Sequence, residues 1–571
     1  MFLRFRTVVS VFRNCLRNPV LRRVGFAYAL FGAAEFGVWI TLLVFAYGHG
    51  GPTASLLMVV AQLIPCIILA PFLGALADRR RPSRVLCVGY GLQTLSLGAV
   101  AVAIGFGSPV MVFVLAPLTS LSLTVTRPPQ AALLPAIVRT PDELTAANVM
   151  TGWTDAAAAL VGPAIVGILL AWEGPGLAVA AMAGMTVIST LLVVCVQGPA
   201  AAISSSVLPG DGETGGEGDD PGGDLMRGVQ RAFASIRSGA GSNLLMTVRN
   251  PQIRVLLVLH TFYFVLIGAF DLLCVILAVD YLHMGPGGAG FLNAALGGGA
   301  LLAGFVTAFL VGRRNLANTL TVTLSIAVVA LALIGAIRSV APAILLIGTV
   351  GLAGAVFDVT GRTLLQRSAP ADAIAGAFSI LEALMDSGLV LGAVLVRVAI
   401  AIGGLKAALF APTVVALLLI GGLWRQIQKV DASATVPQVE IQLLRSISIF
   451  AALPAPSLEG LARDLEALTV SQGTVVIKEG EPGDCYYAIA EGELAVSIDN
   501  QFLRTVSRGD GFGEIALIRD VPRSATVTAA TDALLYTLDR EPFVQALTGH
   551  ATTISTVERV ISKHLRDDDA E

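Results

Sequence analysis

A short segment near the C-terminus combines residue types that suit the binding of an anion. It contains two glycines, a carboxylate and, nine residues after that carboxylate, an arginine: Gly511, Gly513, Glu514 and Arg523. A guanidinium forms short, charge-assisted hydrogen bonds with phosphate oxygens, and backbone N–H groups can complete such a site. The segment therefore predicts a site for a phosphate-bearing ligand.

A second group of chemically significant residues consists of carboxylates inside long apolar runs. Glu35 and Asp271 lie near the middle of two such runs. A charge within a membrane span costs about 2.5–3.5 kcal/mol on insertion scales and usually faces a bundle interior or an aqueous cavity. We expect the two side chains to approach each other across a central cavity, where burial favours the protonated carboxyl. A proton-carrying role is the hypothesis, and a structural hydrogen bond to a neighbouring helix is the alternative.

The composition indicates that most of the chain lies in lipid. Hydrophobic residues make up 55% of the 571 residues and charged residues only 13%, about half the charged fraction of soluble domains. The six cysteines are scattered without a CxxC pair, which predicts neither a disulfide framework nor a metal site. No nucleophile–base pattern suggests an enzyme, and no helix-turn-helix suggests a nucleic-acid partner. We expect no cofactor.

Twelve apolar runs are long enough to cross a bilayer core, which takes about 20 helical residues. They lie near 24–47, 53–77, 84–105, 108–126, 147–172, 175–197, 254–280, 286–311, 317–337, 340–360, 374–403 and 404–424. The predicted organisation is an interfacial N-terminal segment (1–21), a six-helix bundle (22–197), a partly disordered cytoplasmic linker (198–248), a second six-helix bundle (249–425), a connector (426–440) and a C-terminal domain (441–571). The linker prediction rests on an acidic, glycine-rich stretch with nothing to bury.

The distribution of arginine predicts the orientation. If the N-terminus lies on the cytoplasmic side, nearly all loop arginines lie on that side as well, and the opposite side receives little beyond Arg338 and Lys406. This asymmetry is the positive-inside pattern, and it places both termini in the cytoplasm. The expected location is the plasma or inner membrane, with the protein crossing it many times.

The two sets of six runs are related by an internal repeat. Arg17-Asn18-Pro19 recurs as Arg249-Asn250-Pro251 before the first run of each set, and further matches follow in the same order. They pair Glu35 with Asp271, Arg79-Arg80 with Arg313-Arg314, Arg127 with Arg362, and Asp155 with Asp386. A parallel repeat of six spans, related by an axis along the membrane normal, is the arrangement of major facilitator transporters.

The residues themselves resemble that family over roughly 15–425. Gly74-Ala-Leu-Ala-Asp78-Arg79-Arg80-Arg81 is similar to its signature loop between spans 2 and 3, although Arg81 stands where the family usually has glycine. The resemblance implies that Asp78 and Arg79 form a cytoplasmic gate, to which Asp155 and Asp386 are added as candidates. It places Arg127 at a position implicated in coupling; an anchoring role at the cytoplasmic surface is the alternative. Gly162-Pro163 to Gly167 is similar to a motif of exporters, and the nearest likeness is to the drug and siderophore efflux branch.

The C-terminal segment resembles the phosphate-binding cassette of cyclic-nucleotide-binding domains, over roughly 440–565. Short strand-like runs separated by glycines after a helical stretch near 441–468 fit the small α+β β-roll of that family. The resemblance implies that Arg523 takes the phosphate and that Glu514 accepts a hydrogen bond from the ribose 2′-hydroxyl. The amides near Ile515, Ala516 and Ser524 complete the cradle after Gly513. Ser524 does not decide between cAMP and cGMP, of which we favour cAMP, and the residue that caps the base, near 557–565, is not identified.

The function expected from these patterns is secondary transport of a small molecule, coupled to protons and directed outward, with a cyclic nucleotide as regulatory ligand. The partners would then be the nucleotide, the substrate, protons and the lipid bilayer. A membrane-anchored nucleotide sensor that no longer transports, and a lipid translocator, are alternatives. An ion channel is disfavoured because the chain has neither a TVGYG-like filter nor an arginine-repeat voltage sensor.

Overall fold

The computed structural model describes ten long helices followed by a small domain of helices and strands. The described residues are 19–77, 82–137, 141–194, 250–307, 316–368, 374–433 and 438–548, apart from 448, 451–452, 454–457, 459, 463 and 520. The long helices are α1 (Pro19–Ala77), α2 (Pro82–Gly105), α3 (Pro109–Ile137), α4 (Pro141–Trp172), α5 (Pro175–Val194), α6 (Pro251–Ile276), α7 (Pro286–Thr307), α8 (Leu316–Ile334), α9 (Val340–Ser368) and α10 (Ile374–Ser433). The predicted linker 198–248 lies outside these residues.

The starts of the helices follow from the placement of proline. Seven of the ten begin with one, as their bounds show. Proline suits the first helical position because its fixed φ is already helical and its missing N–H needs no partner there. In α6 the residue before Pro251 is the cap, since the Asn250 side chain accepts a hydrogen bond from the amide of Gln252. The Asn-Pro part of the repeated Arg-Asn-Pro sequence is therefore a helix-start signal.

Two of the helices are double-length and contain a glycine pair with non-helical backbone. Gly50 and Gly51 interrupt α1, and Gly403 and Gly404 interrupt α10. Gly51 (φ 61°, ψ −153°) and Gly404 (φ 69°, ψ −163°) adopt nearly the same conformation, which essentially only glycine tolerates. We name the part of α1 before Gly50 α1a and the part of α10 before Gly403 α10a; the parts after the pairs are α1b and α10b.

Within the described residues, ten helical stretches are long and apolar enough to span a membrane. Within the described residues each of the twelve predicted runs lies mostly on helix, and α1 and α10 each carry two of them. The number of twelve crossings stays a prediction that the two glycine pairs support. The domain boundaries also stay predictions, although α10 continues to Ser433, beyond the expected end of the second bundle at 425.

Close helix packing accounts for the glycines of the exporter-like motif. A Cβ at Gly162 in α4 would collide with the backbone of Ala33 in α1a. A Cβ at Gly167 would lie 3.0 Å from the carbonyl oxygen of Gly287, at the start of α7. Small residues let backbones approach in this way. The motif thus has a packing role in this chain, both within the first six-helix set and between the two sets.

The C-terminal domain contains two four-stranded antiparallel sheets. Its elements are α11 (Gln438–Ser446), β1 (Glu466–Val470), β2 (Val475–Ile477), β3 (Cys485–Glu491), β4 (Glu493–Ile498), β5 (Gln501–Ser507), β6 (Gly511–Phe512), α12 (Glu514–Arg519), β7 (Thr526–Ala529), β8 (Ala533–Asp539) and α13 (Arg540–Thr548). The strand orders are β1-β8-β3-β6 and β2-β7-β4-β5. The α+β prediction is confirmed. The helix expected over 441–468 is wrong at its end, because Glu466–Val470 pairs with β8 as a strand.

An apolar core between the sheets and the helices fixes the position of the candidate anion site. Tyr486 of β3 and Phe543 of α13 are fully buried and stack with ring centroids 4.8 Å apart. Their packing holds the start of β3, where Cys485 lies next to Arg523. Buried aromatic pairs of this kind add about 0.5–1.5 kcal/mol beyond the area they bury.

Candidate functional sites

Arg523 is almost completely buried at the base of a pocket in the C-terminal domain. Its side chain is only 3% exposed. One terminal nitrogen donates to the carbonyl oxygen of Gly513 at 3.1 Å and the other to that of Cys485 at 2.8 Å. The carboxylate of Asp484 lies 3.6 Å away and is 87% exposed. The guanidinium is therefore positioned by neutral carbonyls, which do not cancel its charge.

Gly513 joins β6 to α12 in a conformation that favours glycine. Its φ is +94°, and a Cβ there would press against the guanidinium of Arg523. On the other side, Gly483 leaves a similar space beside Arg523 and Ala516. Two glycines thus let the backbone close around one buried arginine.

Replacing Gly513 with alanine should destabilise the domain by about 1–3 kcal/mol, because an L-residue is strained at this φ, and should weaken nucleotide binding by moving Arg523. Thermal unfolding and calorimetric titration with cAMP measure the two effects. Gly460→Ala is the matched control, since a Cβ at that position meets nothing within 4 Å. Unchanged stability and affinity in Gly513→Ala would contradict this account of the loop.

The other predicted nucleotide-site residues line the same pocket. Gly513, Glu514, Ile515, Ala516, Arg523 and Ser524 are all in its wall. Glu514 is 3% exposed, so its carboxylate is buried at the first position of α12. The remaining wall is largely apolar, from β4, β5 and β7, which suits the flat face of a base. Phosphate-binding and apolar surfaces thus meet in one pocket.

Three contributors to this pocket were not predicted. The carbonyl of Cys485 accepts from Arg523, the ring of Tyr487 lies 5.8 Å from the guanidinium carbon, and Arg504 of β5 lines the wall. Tyr487 faces Arg523 because β3 pairs with β6 beside the Gly513 turn.

Burial, with the neighbouring Asp484 carboxylate, raises the pKa of the Cys485 thiol to about 11, so this thiol is protonated and unreactive at neutral pH. Arg504 could have been predicted from the sequence, because it is a basic residue within a short run with strand character.

A large cavity lies in the membrane unit, with walls from helices of both predicted repeats, among them α1, α3, α6 and α10. Its volume is about 1040 Å³, the upper end of the range for small-molecule sites. Aromatic side chains including Trp39, Phe264 and Phe270 form much of the wall. The predicted residues Glu35, Arg127, Asp271 and Asp386 line it as well.

The two predicted coupling carboxylates have different partners in this cavity. Arg127 of α3 donates to Glu35 of α1a at 2.7 Å, so Arg127 pairs with an intramembrane acid. Asp271 of α6 accepts from the indole N–H of Trp39 at 2.9 Å. Trp39 lies one helical turn beyond Glu35, so Asp271 approaches α1a next to Glu35 and is bonded to a neighbouring tryptophan. This bond joins α1a to α6, which belong to different predicted six-helix sets.

Comparison with known proteins identifies both parts of the chain. The sequence model of the Major Facilitator Superfamily matches residues 24–348, more than half of the chain. The chain belongs to the Major Facilitator Superfamily. This superfamily consists of transporters rather than enzymes, so the protein is a multi-pass membrane protein of the transporter type. The model of the cyclic nucleotide-binding domain matches residues 467–550.

Relatives of the C-terminal domain include regulatory proteins of kinases. A cAMP-dependent protein kinase regulatory subunit of Yarrowia lipolytica is 39% identical over 106 residues, which is 18% of this chain and 28% of that protein. The chain thus spans little more than a quarter of that relative. Among solved structures, the regulatory domain of Toxoplasma gondii protein kinase A with cAMP is 32% identical and covers 20% of this chain and 46% of that one, with a TM-score of 0.20. A Trypanosoma cruzi cAMP-independent protein kinase A regulatory subunit bound to guanosine is 26% identical over 22% and 45% of the two chains, with a TM-score of 0.20.

The gate residues predicted for this superfamily member are only partly visible. Asp78 and Arg79 lie outside the described residues. Asp155 of α4 accepts a hydrogen bond from the hydroxyl of Tyr28 in α1a. Asp386 of α10a lines the central cavity. Asp155 and Asp386 are repeat-related in sequence, yet the first is engaged by a tyrosine and the second faces the cavity, and their role as gates stays a prediction.

A second charged cluster in the superfamily fold was missed. Arg362 of α9, the repeat counterpart of Arg127, bonds Asp358 one turn earlier and Glu382 of α10a, both at 3.1 Å. His260 of α6 lies 3.9 Å from Asp358. The signal was available, since Asp358, Glu382 and His260 are all ionisable residues within apolar runs, where such residues are rare.

Proposed function

We propose that this protein is a proton-coupled secondary transporter that exports a small molecule and is regulated by cytoplasmic cAMP. The observation that carries the regulatory half is the buried guanidinium of Arg523 at the base of a pocket with the carboxylate of Glu514. A buried charge held by carbonyls is costly unless a counter-charge completes the site. A cyclic phosphate supplies that charge, and Glu514 accepts from the ribose 2′-hydroxyl. Amides of Ile515, Ala516 and Ser524 complete the cradle after Gly513.

The preference for cAMP over cGMP is supported by one sequence relationship. The Yarrowia lipolytica protein, whose name gives its cAMP dependence, is 39% identical over the matched region. Arg504 and Ser524 both line the pocket and carry donors, and neither residue decides between the two bases. Both nucleotides therefore belong in the test.

The transport half is supported by the cavity shared between the two repeats. Its mixed wall of aromatic and ionisable side chains suits an amphipathic small molecule. Asp271 is 8% exposed and accepts a hydrogen bond from a neutral indole, which favours uptake of a proton by this carboxyl. Arg127 and Glu35 neutralise each other in the same cavity. The glycine motif of α4 supports export as the direction of transport. The same motif supports membership of the drug and siderophore efflux branch. The arginine distribution supports cytoplasmic termini in the plasma or inner membrane.

Regulation requires that the nucleotide bind one transporter conformation more tightly than another, since a ligand shifts an equilibrium only by its differential affinity. The gates of the transporter, to which we assign Asp78, Arg79, Asp155 and Asp386, are the elements whose equilibrium would shift. A membrane-anchored sensor without transport would bind nucleotide equally well but would carry no proton flux.

The test of this function is a calorimetric titration of the purified full-length protein with cAMP and with cGMP, paired with proton-flux measurements in proteoliposomes. We expect saturable binding of cAMP, weaker binding of cGMP and a proton flux that cAMP changes. Absence of binding to the folded protein would contradict the regulatory half alone. Binding without any proton flux would favour the sensor over the carrier.

A further inference from the structure

His260 of α6 has one ring nitrogen satisfied and the other without a partner. The side chain is completely buried. Its Nδ1 lies 3.1 Å from the carbonyl oxygen of Leu256. A carbonyl only accepts, so Nδ1 carries the ring proton and donates it, which leaves Nε2 as a lone pair. Among the described residues no hydrogen-bond partner reaches Nε2. A buried acceptor without a donor is uncommon in folded proteins.

The unpartnered nitrogen faces a carboxylate instead of a donor. Nε2 is 3.9 Å from an oxygen of Asp358 in α9. Two acceptors facing each other gain nothing, whereas a proton on Nε2 would turn this contact into a charge-assisted hydrogen bond. The chain also makes room for the ring, because a Cβ at Gly361 would overlap the imidazole. The geometry is therefore that of a site lacking one proton.

The same carboxylate already has a second cation. Arg362 holds Asp358 through its Nε at 3.1 Å and reaches Glu382 of α10a through a terminal nitrogen at 3.1 Å. Among the described residues, Asp358, Arg362 and Glu382 are the charged groups that α9 and α10a present to the site, and α6 adds the phenol of Tyr263. With a neutral His260 the cluster has two carboxylates and one guanidinium, and one added proton balances its charge.

We propose that His260 is a proton-binding site, and that its protonation exchanges the partner of Asp358. Hydronium delivers a proton by way of Asp358, whose side chain is 29% exposed, and Nε2 accepts it, leaving water. The imidazolium then donates to Asp358, and Arg362 is freed to bind Glu382 more fully. Because Glu382 lines the central cavity, the proton changes a wall of the transport site and the α9–α10a contact together.

The His260 site is distinct from Asp271. Proton binding at His260 does not depend on the proposed transport, but its use in transport rests on that proposed function. A readout of the proton itself therefore separates the two. Solid-state ¹⁵N spectra distinguish a bare ring nitrogen from a protonated one, and the chain has only five histidines. The experiment uses full-length protein with ¹⁵N-labelled histidine in lipid, titrated from about pH 4.5 to pH 8.5, with His260→Gln assigning the signal.

We expect one histidine signal to change from neutral to doubly protonated, and Asp358→Asn to move its midpoint down by at least about one pH unit, since an opposite charge within 4–6 Å shifts a titration by about 1–3 units. Asp280→Asn is the matched control. Asp280 lies about 30 Å from His260 by helical rise, so this change should leave the midpoint unchanged. The Asp358→Asn arm does not depend on whether His260→Gln folds.

A histidine signal that stays neutral throughout the range would overturn the proposal, as would a midpoint indifferent to Asp358→Asn. Failure of proton flux with an intact His260 titration would count against the proposed transport instead. The two failures are thus distinguishable in one preparation.

Discussion

Replacing Arg523 with alanine should lower the affinity for cAMP by about 30-fold or more. Truncating one partner of a buried, hydrogen-bonded charge pair costs about 2–5 kcal/mol, and each 1.4 kcal/mol is a factor of ten. This cost applies here because the guanidinium is 3% exposed, so water and salt do not screen its charge. Calorimetric titration of the full-length protein gives the affinity directly.

Two further variants separate the loss of the phosphate contact from other effects. Arg523→Lys keeps the charge but loses the planar fork that holds the Gly513 and Cys485 carbonyls, so it should lose less affinity than alanine and still bind poorly. Arg508→Ala removes the same charge from an exposed position of the domain and should bind like the wild type. Thermal unfolding shows whether each variant remains folded. Wild-type affinity in a folded Arg523→Ala variant would remove the phosphate site from this pocket.

The elements of the membrane unit were predictable because each depends on local sequence. A run of about 20 apolar residues specifies a helix in lipid, since every backbone group must be bonded within the segment. Proline and asparagine set the starts, as Asn250 and Pro251 show. The glycine pairs at Gly50 and Gly403 mark where two such runs are joined. None of these signals needs knowledge of a distant residue.

The partners of the charged residues were not predictable in the same way. Arg127 reaches Glu35, 92 residues away, and Asp271 reaches Trp39, 232 residues away. Which side chains meet depends on the rotation of each helix about its axis, and a nearly uniform apolar helix carries little information about that rotation. The repeat suggested that Glu35 and Asp271 converge, but the tryptophan between them gave no sequence signal.

In the C-terminal domain the candidate site was easier to predict than one of the elements around it. The predicted nucleotide-site residues line one pocket, because they belong to one short segment that turns at Gly513, a glycine at positive φ; their binding role stays a prediction. What sequence missed there was tertiary: the carbonyl of Cys485 that orients Arg523, and the strand β1, where Glu466–Val470 pairs with β8. A short amphipathic stretch such as 466–470 suits a helix or a strand, and only the partner strand decides.

Replacing Asp271 with asparagine should abolish the pH-dependent signal of Trp39. The indole N–H donates to the Asp271 carboxylate at 2.9 Å, so protonation of that carboxyl changes the strongest polar contact of the indole. A variant that keeps Trp39 and has phenylalanine at Trp153, Trp172 and Trp424 isolates its fluorescence. We expect a single transition on titration of the parent, because protonation removes the charge that the indole N–H faces, and none in Asp271→Asn.

Controls decide whether the transition belongs to Asp271 or to its surroundings. Glu35→Gln removes the other cavity carboxylate, which Arg127 already neutralises, and should shift the transition without abolishing it. Asp280→Asn changes a carboxylate that bonds Tyr47 and does not line the described cavity, and should leave the transition intact. In proteoliposomes Asp271→Asn should also lose proton flux.

The informative outcome is disagreement between the two readouts. If Asp271→Asn removes the Trp39 transition but proton flux persists, Asp271 binds a proton that is not the transported one, and the structural hydrogen bond to Trp39 becomes its role. The transported proton would then have to use Glu35, whose partner Arg127 must release it. If both readouts are lost together, the bond that joins α1a and α6 is where protonation alters the contact between the two six-helix sets. A transporter that alternates by moving one set against the other requires its coupling group to lie at such a contact.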